Sequence, residues 1–216
     1  MTGHKPNSTE EATPMANPMD FVAPSQIVDL PSLGRYPEGH PLCGKDSIEI
    51  KYMTAKDEDI LTNRSMLKKG IAIDRLIQNL IKDPSIDSKS LYVGDRNSII
   101  IHARASAYGE DYKTSVQCPS CGETSKYKFD LSNYEVYHGD NIEEAEIEQT
   151  TAATFLATLP LSKIKTEIKP LTGRDEMAMV SSGNIKNATD NLITKQIKSF
   201  VISYNGYTDR KTINYQ

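Results

Sequence analysis

The sequence predicts an α+β protein: a helical-hairpin region carrying a zinc-knuckle-like CxxC β-hairpin, followed by a smaller α/β half. Three observations lead there. Apolar residues recur at helical spacing between residues 55 and 108. Beyond Gly109 the period changes to two on both sides of Cys118-Pro119-Ser120-Cys121-Gly122. An acidic stretch then precedes a second mixed segment that runs to Gln216.

Residues 1–45 read as an extended Pro-rich arm, because seven of the eleven prolines lie between Pro6 and Pro41 and no hydrophobic period survives there. Residues up to about 20 read as a loose terminus. Phe21, Val22, Ile27, Val28, Leu30, Leu33 and Tyr36 are too apolar for a solvated tail, so this part of the arm is expected to lie across another surface, of its own domain or of a neighbour.

Residues 46–112 form a strand followed by three helices. Ile48, Ile50 and Tyr52 alternate as a strand. Thr54 with Asp57 starts a helix over 55–69; Asp57, Glu58 and Asp59 suit its N-terminus, Lys68 and Lys69 its C-terminus, and Gly70 ends it. Ile73, Leu76, Ile77, Leu80 and Ile81 share one face of a second helix that ends at Asp83-Pro84 and pairs with the first. Asp95 is placed to cap a third helix over 96–108 with Ile99, Ile100, Ala103 and Ala107 inward, although Ile99 to Ile101 also suits a strand.

Residues 113–134 form the CxxC hairpin, and 135–150 a solvated linker with six acidic and no basic residues. The second half, 151–216, opens with strands over 154–159 and 163–168. A short helix follows from Thr172, with Asp175, to Met179, and a longer one over 185–202 carries Leu192, Ile193, Ile197, Phe200 and Val201 on one stripe. An Asn205-Gly206 turn between Tyr204 and Tyr207 starts another hairpin.

Composition narrows the function. The formal net charge of -4 disfavours a general nucleic-acid coat. No apolar run approaches the roughly 20 residues of a membrane span, and no leader precedes a cleavage site, so the chain is expected to be made and assembled in a cytoplasm. Three cysteines argue against a disulfide framework.

Cys118 and Cys121 are the sharpest chemical signal, since thiolates two residues apart at a Pro/Gly turn match zinc bonds of about 2.3 Å. A structural zinc needs two more ligands. The donors available are Cys43 and His40, in a second turn-like HPLCG, and His102 and His138. Bound zinc and an unmetallated knuckle remain alternatives, and a redox dithiol lacks the strand-to-helix context. Neither a G-x-S-x-G elbow nor a phosphate loop occurs. His102 reads as a structural side chain, the Asp57–Asp59 carboxylates as a first helical turn, and the excess of nine Lys/Arg over five Asp/Glu after residue 160 as a solvated face.

LPSLGRYP (Leu30 to Pro37), MTAKDEDILTNRSMLKKG (Met53 to Gly70), LYVGDRNSIIIHARASAYGEDY (Leu91 to Tyr112) and CPSCG (Cys118 to Gly122), in that order, resemble the T-even-type bacteriophage baseplate hub protein family. The resemblance covers Leu30 to Leu131 and implies a structural role in, or in building, the central baseplate of a contractile tail. It implies contacts with other hub, wedge or tail-tube proteins or with the tape measure protein, and no membrane or nucleic-acid partner. It also implies a second CxxC near the C-terminus to complete a zinc site; this sequence has none, which leaves either a shortened chain or an incomplete site. Leu30, Leu33 and Tyr36 in the arm, and Asp57, Asp59, Asp95 and Arg96 near helix starts, are the contact candidates. For the four charged residues, capping and dipole complementarity are the plainer explanation. Two other classes stand beside this one: a transient hub or tape-measure chaperone absent from mature virions, and a zinc-knuckle enzyme or nucleic-acid binder.

Overall fold

The computed structural model describes residues 24–138, 147–182 and 192–209. Phe21 and Val22 of the expected arm, the acidic residues from Asp140 to Glu146, the 185–191 part of the expected last helix and the C-terminal end lie outside them. Strand β1 (Ser25–Asp29) pairs antiparallel with β2 (Ser47–Lys51), with Ser25 opposite Lys51 and Asp29 opposite Ser47. The loop between them closes where the Leu30 N–H donates to the Asp46 carbonyl at 2.7 Å. Its interior is packed, since Leu30, Tyr36 and Leu42 are all buried. The apolar part of the arm therefore folds onto its own domain, and the boundary expected at residue 45 runs through a two-stranded sheet.

Gly34 lets this loop close. Its φ is +69°, and a Cβ there would lie 2.4 Å from the Lys45 backbone nitrogen, closer than any side chain can approach.

The expected helix over 55–69 is two helices, α1 (Ala55–Thr62) and α2 (Arg64–Lys68). Asn63 divides them because its side-chain oxygen accepts from the Ser65 and Met66 N–H groups at 3.0 and 3.1 Å, capping α2. Helix α3 (Ala72–Leu80) buries Ala72, Leu76, Ile77 and Leu80, whereas Ile73 faces out. Helix α4 (Val93–Tyr108) begins three residues before expectation. Asp95 is thus in its first turn rather than at the cap, and Ala107 is exposed although Ile99 and Ala103 are buried. These helices and the first sheet enclose one core, with Val28, Leu30, Tyr36, Leu42, Ile48, Ile50, Leu76, Ile77, Leu80, Leu91 and Ile99 among its members.

Strands β3 (Asp111–Gln117) and β4 (Thr124–Asp130) form an antiparallel ribbon with CPSCG between them. A four-stranded antiparallel sheet follows in the order β5 (Ile147–Gln149), β6 (Phe155–Thr158), β7 (Lys165–Ile168), β8 (Val201–Tyr204). Two expectations change here. Ile147–Gln149, assigned to the linker, is an edge strand, and Val201–Tyr204, assigned in part to the last helix, is the strand that pairs with β7. Helices α5 (Gly173–Ser182) and α6 (Leu192–Phe200) lie between β7 and β8 in sequence. The α5 start is as read from Thr172 and Asp175: the Asp175 carboxylate accepts the Thr172 N–H at 3.0 Å and its hydroxyl at 2.7 Å.

The two halves are stitched by backbone. Val93 N–H donates to the Leu171 carbonyl at 2.9 Å and Gly173 N–H to the Leu91 carbonyl at 3.0 Å. Among the described residues, no helix is long and apolar enough to cross a membrane.

Candidate functional site

Three of the seven contact candidates, Tyr36, Asp95 and Arg96, lie in two buried polar clusters. In the first, Asp95 is fully buried at the start of α4. Its carboxylate accepts the Ser32 N–H at 2.9 Å and the Tyr36 hydroxyl at 2.6 Å. The same hydroxyl accepts the Tyr92 N–H at 3.0 Å. The Tyr36 ring lies between His40 and Tyr92, with centroids 4.1 and 4.2 Å away and planes nearly parallel. Burial, then the Asp95 charge, pushes the Tyr36 hydroxyl far above the usual phenol range, and the same causes push Tyr92 up to about 12.

The second cluster centres on Arg96. Its guanidinium donates to Asp74 Oδ1 at 2.6 Å and to the Ser88 carbonyl at 2.9 Å, with Glu176 at 3.6 Å on its outer side. Arg96 and Asp74 are both buried, so the pair is held by its hydrogen bonds against a large desolvation cost. Asp57 is buried too and accepts the Thr54 N–H at 2.9 Å.

Leu30, Tyr36, Asp57, Asp95 and Arg96, expected as contact residues, are buried within this chain. Leu33 and Asp59 are exposed and keep a free surface.

The proposed metal donors are spread out. His40 Nδ1 accepts the Leu42 N–H at 3.1 Å, so Nε2 carries the proton and donates to the Ser90 hydroxyl at 2.9 Å. Burial holds this imidazole below its ordinary pKa despite the nearby Asp95 charge. His102 sits 2.9 Å from the Ser98 carbonyl and edge-on to Tyr134, and His138 sits 3.1 Å from the Pro31 carbonyl. Cys43 is exposed. Among the described residues, no three His, Cys, Asp or Glu side chains gather to hold a metal ion.

Cys118 and Cys121 do share one turn. The Cys118 N–H donates to the Glu123 carbonyl at 2.8 Å and the Gly122 N–H to the Cys118 carbonyl at 2.9 Å. The nearby backbone N–H groups of Cys121 and Ser120, and then the Cys121 thiol, hold the Cys118 thiol below the usual range. Two cysteines on one turn are two of the four donors that a structural zinc takes.

What sequence reasoning missed lies next to this turn. Tyr112, Val116, Tyr127 and Phe129 are each 41–51% exposed on the ribbon. Tyr112 stands opposite Phe129 and Thr114 opposite Tyr127, so all four apolar side chains share one face. The Phe129 ring stacks loosely on both tyrosines, at 6.4 and 6.1 Å. The alternation was visible in the sequence; the exposure of this face among the described residues was not.

The ribbon thus exposes apolar side chains on one face, while the polar clusters are buried. The sequence matches the family described as T4 bacteriophage base plate protein over residues 25–155, more than half of the chain, and the chain belongs to that family. It is a phage tail baseplate component that interacts with other baseplate proteins. No curated protein and no solved structure matches it.

Proposed function

We propose that the chain is a structural component of the central hub of a contractile-tail baseplate, working through protein–protein contacts during assembly and in the virion and not through catalysis. The observation that carries this reading is the family match over residues 25–155. The motifs from Leu30 to Gly122 supply the hub, as against the wedge, by resemblance. Asp95, Arg96 and His40 are engaged in hydrogen bonds within the chain.

In this reading the neighbours are other hub proteins, wedge or tail-tube proteins and the tape measure protein, and assembly takes place in the host cytoplasm. Cys118 and Cys121 hold a structural zinc as a knuckle at the ribbon tip. An electron cryomicroscopy map of intact tail ends tests the proposal: density for this chain at fixed stoichiometry on the baseplate axis is expected. Density in the wedges would refute the hub assignment. A chain present during assembly and missing from mature tails would instead establish a transient chaperone.

A further inference from the structure

The cysteine turn and the exposed aromatic face are parts of one ribbon. Strands β3 and β4 pair only with each other among the described residues, and every residue in them is exposed except the half-buried Thr114. The Arg104 guanidinium lies over the Tyr112 ring at 5.7 Å, and Val116, Tyr127 and Phe129 stay about half exposed. A two-stranded ribbon so thinly covered is marginal in water, so a cover on its apolar face would stabilise it. At the tip, two sulfurs are available where a structural zinc takes four ligands. No third donor joins them among the described residues.

The register links the two deficits. Cys118 extends the ladder beyond Gln117, bonding to Glu123 at 2.8 Å, and so continues the parity of Tyr112, Thr114 and Val116. The first sulfur-bearing residue therefore belongs to the aromatic face. The opposite face carries Lys113, Lys126 and Lys128, with Lys128 bridged to Asp111 at 2.9 Å, and has the polar character of a solvated side.

We propose that the ribbon joins two copies of this chain: their aromatic faces pack together about a two-fold axis parallel to the strands, and the two Cys118–Cys121 pairs complete one tetrahedral four-sulfur zinc site on that axis. A second copy meets both needs at once. It brings the missing pair of thiolates and an apolar face of matching size, and a two-fold contact uses the same patch on each partner. Four cysteines are also a standard donor set for structural zinc, and binding would release the remaining thiol protons to solvent. The inference rests on the reading of the cysteine turn as a zinc half-site, and not on where in the tail the chain resides.

The test uses the full reduced chain, with zinc content measured by elemental analysis and mass by sedimentation. Added zinc is expected to bind at one ion per two chains and to convert monomer to dimer, and a chelator to reverse this. Cobalt in place of zinc is expected to give the absorption of a four-thiolate tetrahedral site. Cys118→Ser with Cys121→Ser should leave a folded monomer that takes up no stoichiometric zinc, whereas Cys43→Ser should change nothing. Tyr127→Ser with Phe129→Ser should weaken the zinc-loaded dimer by about tenfold or more while keeping the cobalt spectrum at high protein concentration. One zinc per monomer, no zinc uptake, or a dimer indifferent to chelator and to the cysteine substitutions would each overturn the proposal. None of those results would bear on the place of the chain in the baseplate, which the tail map decides.

Discussion

Tyr36 shows how much one buried hydroxyl can organise. It donates to Asp95 and accepts from the Tyr92 backbone, so Tyr36→Phe leaves a carboxylate oxygen and an N–H unpaired inside the protein. The expected loss is about 1–3 kcal/mol in urea unfolding, and a loss below about 0.5 kcal/mol would mean that water takes over both bonds. His40, stacked on the same ring, adds a pH dependence. Its folded pKa is depressed by burial, so the unfolded chain binds the proton more readily. Its contribution is fully present above the ordinary value of 6.5 and is lost as pH falls from there through the folded value. Unfolding measured between pH 7.5 and 5.5 should show wild type losing more stability than His40→Gln; parallel curves would remove the histidine from the explanation.

Among the elements, the division of α1 from α2 carries a sharp expectation. Asn63→Ala removes the cap that the Ser65 and Met66 N–H groups use, at a cost of about 1 kcal/mol, and amide exchange should quicken first in α2. An unchanged melting temperature with α1 and α2 fused into one helix would defeat it. This break also marks where sequence reasoning stops. Acidic residues at Asp57–Asp59 and lysines at Lys68 and Lys69 fit one helix or two equally well, because the dipole acts only at the ends. The α5 start was legible for the opposite reason: Thr172 and Asp175 bond to each other, three residues apart, with no help from the rest of the chain. Strand β8 was not legible, since Val201–Tyr204 extends the apolar stripe of Ile197 and Phe200 and only pairing with β7 makes it a strand. The same holds for the candidate surface. CPSCG is readable as spacing, whereas the exposure of Tyr127 and Phe129 depends on which layers fail to cover them.

For the molecule as a whole, the α+β class and much of the core follow from periodicity, while the junction between the halves does not. Arg96 looks in sequence like a charged residue near a helix start; its partners Asp74, Ser88 and Glu176 come from three other segments. Gly173 completes that junction. A Cβ there would lie 2.6 Å from Arg96 Nη1, and the guanidinium cannot swing aside without releasing Asp74 and Ser88. Gly173→Ala should therefore destabilise the protein by about 1–3 kcal/mol through overpacking. Arg96→Ala should cost about 3–5 kcal/mol, because it leaves the Asp74 carboxylate buried without its counter-charge. The two changes should not add. Once the guanidinium is gone the new methyl group meets empty space, so Gly173→Ala should cost close to nothing in the Arg96→Ala background. A double-mutant cycle by chemical denaturation checks this, with additive losses as the outcome that would break the link between the halves through Arg96.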